Sequence, residues 1–235
     1  MKTSLLILGL GLLNATLLRA QDFGILRIKG GPNWQQSVPI RDRYRYEQFR
    51  QGIIAYGNGQ RATGQLNYNI LIGEMQFIVP NGDTLAVDNE STIRAIQIGE
   101  NSFRYDPKYG FMEIRADFQP ILLVFKPIFK TIRAEKNGGY NQSSGTSSIS
   151  QYKSFIGSSG QLSRLEQEGD LLLEKDMLYG MIDQNNRFHK LTRSTVLKVF
   201  AKHKPLIETY LKTEMIDFKK EGDLKKLLHF CSTLS

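Results

Sequence analysis

The sequence predicts a protein that is mainly β with α: an antiparallel curved sheet or partly closed β-roll, with C-terminal helices packed on it. Apolar and polar residues alternate with a period of two over residues 67–126. Glycine, proline and asparagine clusters divide this segment into short strands. After residue 192 the apolar residues change to helical spacing. These three observations together favour a sheet followed by helices.

The clearest hairpin covers residues 74–88. Residues 80–83, Pro-Asn-Gly-Asp, supply a tight turn between two short strands. The period of two places apolar side chains on one face of both strands: Met75, Phe77, Val79, Leu85 and Val87. This pattern identifies an architecture and carries no chemistry of its own.

Further strands are predicted on both sides of this hairpin. Residues 52–66 form a second hairpin around a Gly-Asn-Gly turn, and residues 93–117 continue the meander. In residues 112–117 Met112, Ile114 and Ala116 alternate with Glu113, Arg115 and Asp117, which predicts one buried face and one wet face.

The later strands are predicted to be short. Residues 121–125 are continuously apolar, and Pro127 is expected to end their regular pairing, with residues 128–135 continuing after a bend. Two separate strands are expected at residues 170–173 and 177–182.

Three helices are expected at the C-terminal end. Thr192 is a candidate N-cap for residues 194–201, and Pro205 opens a second helix whose apolar face holds Leu206, Ile207, Tyr210 and Leu211. Residues 223–234 form the third, with one apolar side made of Leu224, Leu227, Leu228, Cys231 and Leu234. We therefore interpret Cys231 as a small core residue and not as a nucleophile, and the single tryptophan, Trp34, as a packing residue.

The first twenty residues have the composition of a secretory signal peptide. Lys2 precedes an apolar run at residues 5–13, and Ala20 is a suitable last residue before cleavage. The run is too short for a transmembrane anchor, and Arg19 would lie inside any longer span. The sequence therefore predicts an exported protein, periplasmic or outer-membrane-associated in a Gram-negative bacterium, with no transmembrane span after cleavage.

Composition agrees with one sizeable domain in a bacterial envelope. The chain of 235 residues carries a formal charge of +8 and a single cysteine, so an internal disulfide is excluded. We expect five segments: a signal peptide (1–20), an antiparallel β-domain (21–136), a flexible loop rich in serine and glycine (137–160), further strands that complete the β-domain (161–191), and a helical segment (192–235).

Residues 41–50 interleave arginines with aromatic residues. This pattern occurs in proteins that bind single-stranded nucleic acid, where bases stack on rings and arginines contact phosphates. Because an exported protein rarely meets nucleic acid, we expect instead a strand with Tyr44, Tyr46 and Gln48 on one face and charged residues on the other. The sequence therefore predicts no nucleic-acid partner.

Sequence motifs predict no catalytic, cofactor-binding or metal-binding residue, and no cofactor. The three histidines lie within the last fifty residues and form no zinc-binding motif, and no Gly-x-Ser-x-Gly elbow occurs. Asp83 and Asp88 lie at strand ends, where aspartate is ordinary in turns. Two carboxylates that meet only in space could still form a glycan hydrolase, so enzyme status stays open, with a non-enzyme favoured.

Both ends of the mature chain resemble a family of uncharacterised exported proteins of Bacteroidota. The resemblance rests on Asn67-Tyr68-Asn69, Gly73-Glu74-Met75-Gln76-Phe77, Gly82-Asp83-Thr84-Leu85-Ala86 and the segment from Asp217 through Phe230. Gly222 departs from the acidic residue of the family pattern, and Phe230 stands where the family often has tyrosine. The resemblance implies a Gram-negative envelope location and a β-rich fold with a helical tail. The family has no assigned activity, so the resemblance implies no functional residues.

The favoured functional hypothesis is a non-enzymatic binding or interaction module for another envelope component, with an envelope protein as its expected partner. The alternative is a carrier that holds an apolar ligand on a concave sheet. Large apolar residues on the predicted strands suggest it: Met75, Phe77, Phe103, Met112 and Phe125. A hydrolase that uses paired carboxylates is the third hypothesis.

Overall fold

A computed structural model describes residues 24–31, 34–137, 143–144 and 169–234. The predicted signal peptide (1–20) and all of the predicted loop (137–160) except residues 137 and 143–144 lie outside the described residues. In the described part, no helix is long and apolar enough to cross a membrane.

The described strands form one antiparallel sheet of twelve strands. In chain order they are β1 (Ile25–Ile28), β2 (Arg50–Tyr56), β3 (Arg61–Asn69), β4 (Glu74–Ile78), β5 (Thr84–Ala86), β6 (Ile93–Ile98), β7 (Asn101–Asp106), β8 (Gly110–Asp117), β9 (Leu122–Asn137), β10 (Ser143–Ser144), β11 (Gly169–Ile182) and β12 (Phe188–Lys190). The spatial order is β1-β11-β9-β8-β7-β6-β2-β3-β4-β5, with β10 on β9 and β12 on β11. The sheet is not closed, because β1 and β5 are its edges, which confirms the predicted curved antiparallel sheet.

Five α-helices accompany the sheet in the described part of the chain. They are α1 (Trp34–Ser37), α2 (Ile40–Arg43), α3 (Arg193–Val199), α4 (Lys204–Thr213) and α5 (Glu221–Thr233), with short 3₁₀ turns at Glu90–Thr92 and Ala201–His203. Thr192 caps α3 as predicted, since its hydroxyl accepts a hydrogen bond from the Thr195 N–H at 3.2 Å. Pro205 lies in the first turn of α4, also as predicted.

Two strands are longer than the sequence predicts. Strand β9 runs without a break through Pro127, which pairs with Met177 on β11, and β11 itself is one strand of 14 residues and not two. Strand β8 pairs with β9 only as far as Phe125, so a proline two residues later loses no ladder hydrogen bond on that side. The expectation that Pro127 ends regular pairing is therefore wrong.

Among the described residues, two large apolar cores lie on the sheet, together with a small one made of Met112, Val124 and Ile182. The first gathers residues from β1 to β8, including Trp34, Tyr68, Ile96 and Phe103, and extends to β9 and β11. The second lies between β9–β11 and the C-terminal helices, where α5 buries Leu224, Leu227, Leu228 and Cys231 as predicted. On α4, Leu206 is exposed, so the predicted apolar face of this helix loses one member.

The segment of interleaved arginines and aromatic residues is not a strand. Residues 40–43 form α2, Tyr44 makes a single bridge to Asn69, residues 45–48 bend, and β2 begins at Arg50. The side-chain amide of Asn67 replaces strand pairing here: Oδ1 accepts from Tyr46 N–H at 3.2 Å, and Nδ2 donates to the Tyr46 carbonyl at 2.9 Å. The predicted strand with Tyr44, Tyr46 and Gln48 on one face is therefore wrong.

Candidate functional site

A buried carboxylate lies near the centre of the sheet. Glu113 on β8 is 3% exposed, and Arg45, in the bend after α2, donates to both of its oxygens: Nε to Oε2 at 2.7 Å and Nη2 to Oε1 at 3.2 Å. A bidentate guanidinium–carboxylate pair of this kind is stronger than a neutral hydrogen bond and fixes both side chains in orientation. The bend is thereby tied to the sheet.

Arg115 extends this pair to the C-terminal helices. It lies two residues after Glu113 on β8, and its Nη1 donates to Glu113 Oε1 at 2.7 Å. Its Nε donates to Oε2 of Glu221, the first residue of α5, at 2.9 Å. We call the four residues Arg45, Glu113, Arg115 and Glu221 the arginine network. Their charges alternate along the chain of contacts, so that each carboxylate faces at least one guanidinium.

The electrostatics of the network keep Glu113, Arg45 and Arg115 charged. Burial alone would raise the pKa of Glu113, but hydrogen bonds and charge attraction from Arg45 and Arg115 outweigh it and hold the pKa below its ordinary value. The hydrogen bond to Glu113 raises the pKa of Arg45, and Glu113 and Glu221 raise the pKa of Arg115 against the opposing effect of burial. The site therefore holds permanent charges at neutral pH.

Neutral side chains orient the buried carboxylate further. Asn101 on β7 donates from Nδ2 to Glu113 Oε1 at 2.9 Å and accepts from the Tyr46 hydroxyl at 3.1 Å. The guanidiniums of Arg45 and Arg50 lie over the Tyr46 ring, at 5.2 and 4.5 Å from its centroid. Asn67 on β3 also holds the backbone of Tyr46 by two hydrogen bonds. Tyr46 is therefore fixed by β3 and β7, and its ring helps to hold Arg45 in position.

A cavity of about 590 Å³ opens beside the network, and we call it the arginine cavity. Arg45 and Arg115 line it, and its apolar wall comes from both cores: Leu26, Ile70 and Phe129 belong to or pack on the first, Phe125 and Met177 pack on the second. Arg41, Asp42 and Lys175 also line it, so the charged residues of the wall are mostly cationic. The volume falls within the range of small-molecule sites, about 300–1,000 Å³.

Each of the two arginines contributes only one of its two outer nitrogens to the network. Arg45 uses Nε and Nη2, and Arg115 uses Nε and Nη1. Among the residues that the structure describes, neither Nη1 of Arg45 nor Nη2 of Arg115 has a hydrogen-bond partner. Since Arg45 Nη2 and Arg115 Nη1 bind the same oxygen of Glu113, the two guanidiniums lie side by side.

A second cavity, of about 800 Å³, lies between the β2–β3 and β4–β5 strands. Its floor is apolar, with Ile54, Leu66, Phe77 and Val87, and Asp88 is the one charged residue among its described lining residues. Its described lining residues therefore offer a ligand no cationic partner.

The five apolar residues that suggested a ligand carrier have different positions. Met75, Phe103 and Met112 are each 1% exposed and fill cores. Phe77 lines the second cavity and Phe125 lines the arginine cavity. Three of these five residues therefore fill cores, and the other two line different cavities.

Alternation along β8 predicts that Glu113 lies on a wet face, but Glu113 is buried. Its alternation with Met112 and Ile114 is that of a sheet with one exposed side, yet both sides of β8 are covered at this point. The one signal in the sequence that Glu113 is buried is its position directly after two large apolar residues, Phe111 and Met112. Both of these residues are buried in the structure. Arg45 and Glu221 are too distant in sequence to be recognised as its partners.

The other carboxylates and histidines singled out in the sequence serve local structure. Asp83 accepts from Asn81 Nδ2 at 2.7 Å and Asp88 accepts from Asn89 N–H at 2.7 Å, both in turns. His189 lies 2.8 Å from Asp183, within the β11–β12 hairpin. Within the described ranges, no group of three or more histidine, cysteine, aspartate or glutamate side chains could hold a metal ion.

Comparison of the chain with protein-family models, with curated proteins and with solved structures gives no match.

Proposed function

We propose that the protein is an exported, non-enzymatic binding protein of the cell envelope, and that its ligand is a small envelope component held in the arginine cavity. The observation that carries the proposal is the position of Arg45 and Arg115, whose uncommitted nitrogens adjoin an apolar wall formed by two cores. A cavity with an apolar wall and a few fixed polar groups is the usual form of a small-molecule site.

The network favours binding over proton transfer. Glu113 is ionised at neutral pH because its pKa is lowered, so it cannot act as a general acid there. Its oxygens already accept hydrogen bonds from Arg45, Arg115 and Asn101. A carboxylate held in this way is a poor base or nucleophile, whereas it is well suited to keep two guanidiniums at fixed positions.

A protein partner is the second candidate function, and the sheet edge favours it. Strand β5 ends the sheet, and Leu85 on it and Ile78 on the neighbouring β4 are 50% and 39% exposed. An exposed edge can accept a strand from another protein, with apolar side chains adding contact area. Crosslinking in intact host cells tests this candidate: one dominant partner, lost when Leu85 is replaced by lysine, supports it, and no partner contradicts it.

Native mass spectrometry of protein purified from its host tests the main proposal. We expect a retained small-molecule mass on a chain that begins at Gln21, as cleavage after Ala20 predicts. Met177→Trp should abolish the retained mass by filling the cavity, because Met177 lines it. Met215→Trp is the matched control, since Met215 is 83% exposed and lies outside the cavity.

Two results would contradict the main proposal. One is a wild-type protein that retains no small molecule and binds none when titrated with envelope lipid extract. The other is a ligand retained equally by the wild type and by Met177→Trp. A chain that still carries residues 1–20 in the envelope fraction would contradict export with cleavage.

A further inference from the structure

The chemical class of the ligand follows from the charges around the arginine cavity. Arg45, Arg115 and Lys175 line it. Arg41 and Asp42 also line it and form an exposed ion pair, with 3.6 Å between Arg41 Nε and Asp42 Oδ2. Glu113 is shared by two arginines, and Glu221 is shared between Arg115 and Lys225. Within the described residues, the three cations Arg45, Arg115 and Lys225 therefore share two carboxylates.

The exposed fractions of the network side chains show which charged groups a molecule in the cavity would contact first. Glu113 is 3% exposed, whereas the side chains of Arg45 and Arg115 are 34% and 25% exposed. The carboxylate thus lies behind the guanidiniums, and a molecule in the cavity meets nitrogens first. An anionic oxygen there would accept charge-assisted hydrogen bonds from Arg45 Nη1 and Arg115 Nη2, which have no partner in the described chain.

The remaining wall is suited to an aliphatic chain. Phe129 is 3% exposed and Ile70 is 3% exposed, so both are fixed in the first core, while Phe125 and Met177 are partly buried on the side of the second core. A guanidinium carbon of Arg115 lies 5.5 Å from the Phe125 ring centroid, so the cationic and apolar parts of the wall adjoin each other. A ligand must match both parts at once.

We infer that the ligand is an anionic amphiphile: an aliphatic chain with a carboxylate or phosphate head, whose oxygens bind between Arg45 and Arg115. This inference rests on the proposed function, because it names the ligand class of the same cavity. A neutral head would accept hydrogen bonds from the guanidiniums but bring no opposite charge to them, and a cationic head would be repelled by them.

Isothermal titration calorimetry with the mature protein and a series of equal chain length tests the inference. The probes are decanoate, decyl phosphate, 1-decanol and decyltrimethylammonium. We expect decanoate or decyl phosphate to bind about tenfold or more tightly than 1-decanol, and the cationic amphiphile not to bind. The stronger of the two anions identifies whether a carboxylate or a phosphate head is preferred.

Two arginine variants locate the head group. Arg45→Gln should lower decanoate affinity by about tenfold or more and lower 1-decanol affinity much less. Arg50→Gln is the matched control, because Arg50 also lies over the Tyr46 ring but does not line the cavity, and it should change neither affinity. If Arg45→Gln does not fold, Arg45→Lys replaces it, because lysine keeps the positive charge. Arg45→Lys should weaken decanoate binding by about twofold to tenfold and preserve the preference for anions.

The outcomes separate this inference from the proposed function. If 1-decanol binds as tightly as decanoate and Met177→Trp abolishes both, the cavity is a ligand site and the inference about the head group is wrong. Equal loss of decanoate affinity in Arg45→Gln and Arg50→Gln would also overturn it. If none of the four probes binds, the inference is overturned, and the proposed function then depends on the mass retained from the host.

Discussion

Arg115 on β8 donates a hydrogen bond to Glu221 at the start of α5, with 2.9 Å between Nε and Oε2, although the two residues are 106 positions apart. The contact joins the sheet to the C-terminal helices at the rim of the arginine cavity. Glu221 also suits its place in the first turn of α5, where a negative charge is favourable. The helical segment therefore helps to fix the position of a cavity-lining arginine.

The buried carboxylate should matter strongly for stability. We predict that Glu113→Gln lowers the free energy of unfolding by about 3–5 kcal/mol, because it leaves two partly buried guanidiniums without their shared anion. Urea unfolding followed by circular dichroism measures the change. Asp176→Asn, which removes an exposed partner of Lys130, is the control and should cost less than about 1 kcal/mol. Equal losses in the two variants would contradict a structural role for the network.

The contribution of Glu113 to the free energy of unfolding should decrease in acid. The folded-state pKa of Glu113 lies below its ordinary value of 4.5, so the stabilisation is complete above that value and is lost as the pH falls through the lowered one. Urea unfolding of the wild type and Glu113→Gln at pH 7 and at successively lower pH should show their difference shrinking in acid. A difference that stays constant down to pH 3 would show that Glu113 does not titrate with folding.

Much of the fold could be predicted because its signals are local. The hairpin at residues 74–88 is defined by a turn and by alternation within fifteen residues, and α3 is defined by Thr192 and the apolar spacing after it. The site could not be predicted, because Arg45 and Glu113 are 68 positions apart and their pairing depends on the order of strands. The alternating pattern of β8 predicts that Glu113 is exposed, because the pattern cannot show that the bend after α2 covers this face of the strand.

Lys126 on β9 gives a second pH prediction. It is 1% exposed, its Nζ donates to the Tyr109 carbonyl, and burial lowers its pKa to about 7 although Asp106 opposes the shift. Between pH 7 and about 10 the unfolded chain therefore binds a proton that the folded chain does not, and wild-type stability rises with pH. Lys126→Met lacks this proton and should be more stable than the wild type at pH 7.

The advantage of Lys126→Met should shrink by about 1.4 kcal/mol for each pH unit above 7, as the penalty for deprotonating the buried amine decreases. Urea titrations at pH 7.5, 8.5 and 9.5 measure the slope. Lys198→Met, at an exposed position of α3, is the control and should differ from the wild type by the same amount at each pH. A parallel pH dependence of Lys126→Met and the wild type would contradict the lowered pKa.

Gly180 on β11 should not accept a side chain. A Cβ at this position would meet the ring of Phe188 on β12 well inside 3.0 Å and lie 3.1 Å from the His189 carbonyl oxygen. We predict that Gly180→Ala lowers stability by about 1–3 kcal/mol through this overlap. Gly64→Ala on β3 is the control, because nothing lies within 4 Å of its added Cβ, and it should be neutral or slightly stabilising. Differential scanning calorimetry compares the two, and similar melting temperatures would contradict the predicted clash.

Cys231 should be unreactive in the folded protein. It is fully buried on α5, and burial raises the pKa of its thiol to about 12, so almost no thiolate exists at pH 8. Iodoacetamide followed by mass spectrometry should label the chain in urea and leave the native protein unlabelled over the same time. Rapid labelling of the native protein would show that α5 opens readily or does not pack as described.

A crystal structure of the mature protein with decanoate would show whether the arginine cavity binds an anionic amphiphile. We expect a bound molecule in this cavity, with its carboxylate within hydrogen-bond distance of Arg45 and Arg115 and its chain against Phe129 and Met177. Decanoate bound elsewhere, or a cavity filled by the protein's own side chains with Arg45 and Arg115 fully occupied by them, would contradict it.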